Sequence, residues 1–145
     1  MNRNLTIDQL HGLLEEPQLA TLATIRKDGS VLLSPVWFIW EDGGFTLALS
    51  RDDIKLTHIA REPRVTIVVA EREFPYRGLE LRGTAGVAGP DRPYGPTVRR
   101  MATRYVGAEA SAFYDDEHVG MIVRVEGDQV RAWDFADDLG AMGVL

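Results

Sequence analysis

The clearest hydrophobic pattern runs from Ala20 to Ala70 and reads strand, turn, strand, hairpin, strand, short helix, strand. Leu19–Ile25 alternates and is rich in Thr, Leu and Ile, which predicts a strand with one buried face. Lys27-Asp28-Gly29 follows as a turn, with Gly29 free to take a positive φ. Val31–Glu41 is apolar and aromatic. Pro35 inside it predicts a sheet edge or a bulge, because proline brings no N–H to a ladder. Asp42-Gly43-Gly44 closes a hairpin into Phe45–Ser50. Val65–Glu71 is a β-branched run, and Leu79–Ala88 is a further strand in which Gly83 and Gly86 permit curvature. Val119–Val125 and Gln129–Trp133 predict strands around a turn or bend at Gly127-Asp128.

Helical periods are fewer. Thr6 and Gln9 form a capping-box pair, and Ile7, Leu10, Leu13 and Leu14 share a face before Pro17 ends the segment. Asp53–Arg61 predicts a short helix with Ile54, Ile59 and Ala60 inward, and Lys55 and His58 elsewhere. Gly89–Pro96 reads as a loop. Pro96–Val106 then predicts a helix with Val98, Met101, Ala102 and Tyr105 on one side. Residues 135–145 are acidic, then glycine-rich, and read as a tail. The sum is a mainly β chain with a few short helices and six or seven antiparallel strands, a small barrel whose closure removes exposed edges.

Length sets one domain, residues 1–145, with no linker or internal repeat. A net charge of −6 argues against nucleic acid as a partner. The absence of cysteine excludes disulfides, thiolate catalysis and thiolate metal sites. No apolar run approaches the roughly 18 residues of a membrane span. The N-terminus lacks a signal peptide's apolar core, so a cytoplasmic protein is expected. His11, His58 and His118 lie on separate elements without ligand spacing, so no metal site is expected. No Gly-x-Ser-x-Gly and no GxGxxG after a strand is present, which speaks against serine-hydrolase and Rossmann chemistry. The Asp52-Asp53, Asp115-Asp116 and Asp137-Asp138 doublets read as solvated turns.

What remains is a barrel wall interrupted by a helical segment bearing Arg51, Lys55 and Arg61, an arrangement suited to a phosphorylated cofactor lying against the barrel. Four stretches carry a family likeness. They are Ala20–Ile25 with Asp28-Gly29 and Ser34-Pro35-Val36-Trp37-Phe38; Lys55 with Pro63-Arg64-Val65; Leu81-Arg82-Gly83-Thr84-Ala85; and His118–Val125 ending at Trp133-Asp134. In this order and spacing, over roughly residues 5–135, the chain resembles the flavin/deazaflavin oxidoreductases of the pyridoxamine 5′-phosphate oxidase-like superfamily. Its short length and Trp-Asp ending look most like the branch that uses coenzyme F420.

The resemblance implies an FMN-binding split β-barrel that forms a homodimer with F420 or FMN at the subunit interface. The activity implied is hydride transfer to a small organic substrate. It places Lys55 at the cofactor phosphate, where an ammonium is a good point charge. Relatives often carry a second basic residue just before this lysine. Here those positions are Asp52, Asp53 and Ile54, leaving Arg51 to substitute, with hydroxyls from Ser50 and Thr57. Ser34, Pro35, Val36 and Trp37 would border the ring, Arg77 would lie near ring or phosphate, and Trp133 would arrive from the partner chain. Trp40 reads as packing, Arg82 as a surface charge, and Arg99, Arg100 and Arg104 as a solvent-facing stripe. No protein acid or base stands out as catalytic. The alternatives are an FMN-dependent enzyme resembling pyridoxamine-phosphate oxidase, a non-catalytic flavin or deazaflavin binder, and a haem-handling split barrel. The chain lacks the arginine-rich ending expected of authentic pyridoxamine-phosphate oxidases, and its isolated histidines speak against haem.

Overall fold

A computed structural model describes residues 2–112 and 119–143. Its strands are β1 (Asn2–Arg3), β2 (Ala20–Ile25), β3 (Val31–Val36), β4 (Ile39–Glu41), β5 (Gly44–Ser50), β6 (Arg64–Ala70), β7 (Gly78–Val87) and β8 (Gly120–Asp134). Its helices are α1 (Ile54–Arg61), α2 (Tyr94–Val106), α3 (Ala108–Ser111) and α4 (Ala136–Ala141). The sheet is antiparallel in the order β3-β2-β6-β7-β8-β5-β4, with β1 pairing β8. Its two ends, β3 and β4, are joined in the chain only by Trp37-Phe38. That corner brings the edges together and curls the sheet into a split barrel.

Alternation sets the interior. Ala20, Leu22 and Thr24 of β2 and Val65, Ile67 and Val69 of β6 point inward, where they meet Phe45 and Leu47 of β5 and Leu79 and Leu81 of β7. Proline at position 35 is tolerated because β3 has a partner on one side only, β2. The β4–β5 hairpin turns at Asp42 and Gly43, φ 51° and 71°, the positive pair that a two-residue hairpin requires.

Several expectations from the sequence are corrected. Val31–Glu41 is two strands, because the chain must leave the β2 edge at Trp37-Phe38 to reach β5. Gly127-Asp128 is no turn. One strand runs through it, and an irregularity lies opposite Gly83, between the pairs Arg82↔Gln129 and Thr84↔Glu126. The backbones approach so closely that a Cβ on Gly83 would lie 1.9 Å from the Glu126 carbonyl oxygen, and one on Gly127 2.4 Å from that of Arg82. Glycine is therefore required on both strands, and the kink curves the sheet. The N-terminal helix is two 3₁₀ turns, Asp8–Leu10 and Leu13–Glu15, broken where His11 and Gly12 are left-handed. The capping pair survives as Thr6 N–H donating to Gln9 Oε1 at 2.8 Å. Helix α2 starts two residues ahead of Pro96, and α3 and α4 were not expected; α4 occupies what reads in the sequence as a tail. His118 and Asp115-Asp116 lie outside the described residues.

Candidate cofactor site

The turn Ser50–Asp53 links β5 to α1 and is closed by Asp53 N–H donating to the Ser50 carbonyl at 3.0 Å. Asp53 is the N-cap of α1, its carboxylate accepting from the Lys55 N–H at 2.9 Å. This satisfies an orphan amide and fixes the first turn. The inward face of α1 differs from the expected one. His58 and Ile59 are buried, while Ile54 is 55% exposed and Ala60 is exposed. His58 Nδ1 lies 2.9 Å from the Thr24 hydroxyl inside β2, and Arg61 caps the Ile25 carbonyl, so α1 is seated on β2 through polar contacts as well as apolar ones.

Above α1, a cavity of about 360 Å³ opens between the end of β3, the end of β5 and one face of α2. Pro35, Val36 and Trp37 form one wall, Ala48–Ser50 the floor, Asp53 and Lys55 one rim, and Tyr94, Val98 and Met101 the opposite wall. The Tyr94 ring lies over Gly120 so closely that a Cβ there would fall 2.4 Å from it. Trp37 stacks on Tyr105 of α2, with ring centroids 4.9 Å apart and planes 4° apart, which holds an indole wall at the mouth. The Lys55 ammonium is 2.9 Å from the Asp53 carboxylate, with only 13% of the lysine side chain exposed.

Five of the residues expected from the sequence therefore converge here: Pro35, Val36, Trp37, Ser50 and Lys55. Ser34 sits next to them on β3 but does not line the cavity, and Arg51 and Thr57 are exposed nearby in sequence without lining it. Arg77 is elsewhere. Its guanidinium is bonded to Glu71 and to the Leu10 carbonyl, and the bond to Arg77 holds the Glu71 carboxyl below its ordinary range. Trp133 lies near the other end of β8 from Gly120, over Gly78, with Arg131 stacked 4.9 Å from its ring. Neither reaches the cavity within one chain. Sequence reasoning missed Asp53, Tyr94, Val98 and Met101 as lining residues. The helical period marked Val98 and Met101 as a buried side of α2, but nothing local says which cavity they face.

The outer side of α2 is a clamp as well as the solvent-facing stripe expected, with Arg100 55% exposed. Glu41 accepts from Arg100 at 3.0 and 3.1 Å, from Arg92 at 2.8 Å and from the Thr46 hydroxyl at 2.9 Å. The Arg100 bond, helped by Thr46, holds the Glu41 carboxyl below its ordinary range against the opposing effect of burial. Arg104 donates to the carbonyls of Leu14, Glu15 and Glu16. The Tyr105 hydroxyl donates to the Gln18 carbonyl at 2.7 Å and accepts from the Phe38 N–H at 3.0 Å; burial pushes this phenol up.

A larger hollow, about 700 Å³, lies on the outer sheet face at the bulge, among Arg64, Arg82, Glu126 and Asp128. It contains none of the expected cofactor residues, and its charges are mixed in sign. Among the described residues no cluster of His, Cys, Asp or Glu could hold a metal, and no helix is long and apolar enough to cross a membrane.

This geometry can be set beside known proteins. A fold comparison matches the conserved hypothetical protein Rv2991 from Mycobacterium tuberculosis at TM-score 0.74 and 24% identity, covering 94% of this chain and 88% of that one. A structure described as an F420 reductase matches at TM-score 0.67 and 28% identity, covering 82% and 93%. The haem storage protein HutZ from Vibrio cholerae matches at TM-score 0.69 and 18% identity, covering 88% and 94%, a likeness of fold alone. A search of curated protein sequences finds none that matches. The family model for pyridoxamine 5′-phosphate oxidase matches residues 6–134, from the first 3₁₀ segment to the end of β8. With the split barrel and nearly the whole chain inside that match, the protein belongs to the pyridoxamine 5′-phosphate oxidase family.

Proposed function

We propose that the cavity between β3, β5, α1 and α2 holds the ring and ribityl phosphate of a flavin-type cofactor, F420 or FMN, and that the protein is an oxidoreductase passing hydride to a small organic substrate. The observation that carries this is the convergence of Pro35, Val36, Trp37, Ser50 and Lys55 on one cavity from three elements. The 28% likeness to an F420 reductase supports the deazaflavin branch.

The cofactor, when bound, supplies the hydride chemistry. The protein's residues do the rest. Trp37 and Val36 exclude water from one face, Lys55 offers ammonium donors to an anion, and the Tyr94 wall limits what can approach. The reading includes a homodimer in the cytoplasm. Its support is β3, which turns Val31 and Leu33 outward, Leu33 65% exposed. A second copy covering that strand would bury this apolar edge, and the reading keeps Trp133 as the residue that the family resemblance assigns to the partner's cavity. Sedimentation at micromolar concentration is expected to give a dimer, and a stable monomer would remove this part of the reading.

One observation favours a second reading, a cofactor binder without turnover. The two ionisable side chains on the cavity rim, Asp53 and Lys55, are engaged with each other. Titration of apo-protein with FMN and with F420, followed by fluorescence, tests binding. Reduction of an enone or quinone panel by the loaded protein then separates the two readings. Binding of neither cofactor would overturn both.

A further inference from the structure

We propose that Asp53 is a specificity determinant of this cavity, selecting a cofactor whose phosphate is a singly charged diester over one bearing a doubly charged monoester. The inference rests on the cofactor-binding reading above and deepens it. Its basis is the charge of the rim. From Ser50 to Lys55 the chain carries two cations, Arg51 and Lys55, and two carboxylates, Asp52 and Asp53. Among the described residues, Lys55 is the one cation lining the cavity, and its ammonium is already 2.9 Å from the Asp53 carboxylate. The pair sits in a partly closed rim, the side chains 13% and 21% exposed, so water screens it incompletely.

A phosphomonoester carries about −1.5 to −2 charge at pH 7. Set against Lys55, it would meet the Asp53 carboxylate at close range. Either the pair breaks and leaves a part-buried carboxylate without its partner, or the dianion accepts the repulsion. A diester carries a single negative charge and presents fewer anionic oxygens. An ammonium has three N–H donors, so Lys55 can keep Asp53 and still donate to one diester oxygen. Asp53 cannot simply swing away, because its Oδ1 caps the Lys55 amide of α1 while its Oδ2 makes the ion pair. The carboxylate is thus fixed where it acts on the anion.

The double use of this side chain also supplies a clean test. Asparagine and serine are N-cap residues as good as aspartate, so Asp53→Asn and Asp53→Ser keep the cap and remove only the charge. Dissociation constants are measured by fluorescence for riboflavin, which has no phosphate, for FMN, a monoester, and for F420, a diester. In the unaltered protein, FMN is expected to bind no more than about threefold tighter than riboflavin, with F420 tighter than both. In Asp53→Asn and Asp53→Ser, FMN should gain about tenfold while riboflavin stays unchanged. In the double variant Asp53→Asn/Lys55→Met the gain should vanish, because the cation that the substitution frees is gone.

An FMN-to-riboflavin ratio that is the same in Asp53→Asn as in the unaltered protein would overturn the proposal while leaving the cofactor site in place. So would FMN binding the unaltered protein tens of times tighter than riboflavin. Failure of all three ligands to bind would instead overturn the cofactor reading itself, and this proposal with it.

Discussion

The two helices that wall the cavity are held in opposite ways. Helix α1 is anchored by burial: Ile59 is 5% exposed and His58 meets Thr24 inside the barrel. Helix α2 also buries Val98, Met101 and Ala102, but its orientation is fixed from outside. Arg92 and Arg100 grip Glu41 of the β4–β5 hairpin, Arg104 grips the carbonyls before β2, and the Tyr105 hydroxyl grips the Phe38 corner. Burial is insensitive to salt, whereas charge-assisted contacts at the surface depend on pH and ionic strength. The barrel therefore presents a fixed wall carrying Lys55 and an adjustable wall carrying Tyr94, Val98 and Met101.

The strongest way to break the contrast is to weaken the fixed wall. Ile59→Ala removes a buried side chain and should cost about 2–5 kcal/mol, read as a lower denaturant midpoint at constant slope. Because the contribution of Ile59 is apolar burial, this loss should be the same in low and high salt. A strong salt dependence would mean that α1 is held electrostatically after all. Tyr105→Phe attacks the other wall at a part-buried polar contact. It leaves the Phe38 N–H without its acceptor, and a loss of about 1–3 kcal/mol is expected. The Trp37–Tyr105 stack should persist, since the ring remains. The fluorescence of Trp37 would then shift little, and a large shift would show that the hydroxyl, not the stack, positions the indole.

What could be read from the sequence follows the same division. The barrel was readable because alternation is local. Thr24, however, sits at an inward position as a polar residue, and its partner His58 is thirty-four residues away. No periodicity reveals such a pair, so the inward face of α1 was misassigned to Ile54 and Ala60. In the site, Pro35, Val36, Trp37, Ser50 and Lys55 were readable because they fall in one continuous stretch that resembles a family motif. Tyr94, Val98 and Met101 come from the far side of β6 and β7 in the chain, and only the fold brings them across. Asp53 was visible as a departure from the usual basic position, but its hold on Lys55 is a matter of geometry.

Acid should loosen the α2 wall. The Glu41 carboxyl is held below its ordinary range, by the Arg100 bond first, so its unfolded-state value is the higher of the two. A depressed carboxyl contributes stability that is fully present above the unfolded-state value, about 4.3 for a free glutamate. That contribution is lost as pH falls through the folded-state value. Glu71, depressed by Arg77, behaves the same way and adds to the acid loss away from the cavity. For Glu41, whose side chain is 21% exposed, the contribution should be on the order of 1 kcal/mol. Glu41→Gln should flatten the acid limb of the stability curve, and hydrogen exchange at low pH should rise in α2 before α1. Equal exchange in both helices would erase the distinction between the walls.

The smallest and sharpest test is Arg100→Ala at two salt concentrations. Arg100 is 55% exposed and donates two hydrogen bonds to Glu41, which keeps Arg92 and Thr46 as partners when it is removed. The loss in stability should therefore be only about 0.2–1 kcal/mol at low ionic strength. At 1 M salt, where the Debye length is about 3 Å, the unaltered protein should already have lost most of this term, so the variant and the parent should converge. Ile59→Ala measured in the same two buffers is the control, because its deficit should not move. Convergence for Arg100→Ala together with a constant deficit for Ile59→Ala would assign charge to one wall and burial to the other. An Arg100→Ala deficit that persists undiminished at 1 M salt would show instead that the arginine acts through the packing of its aliphatic stem on α2, and the adjustable wall would then be as fixed as its neighbour.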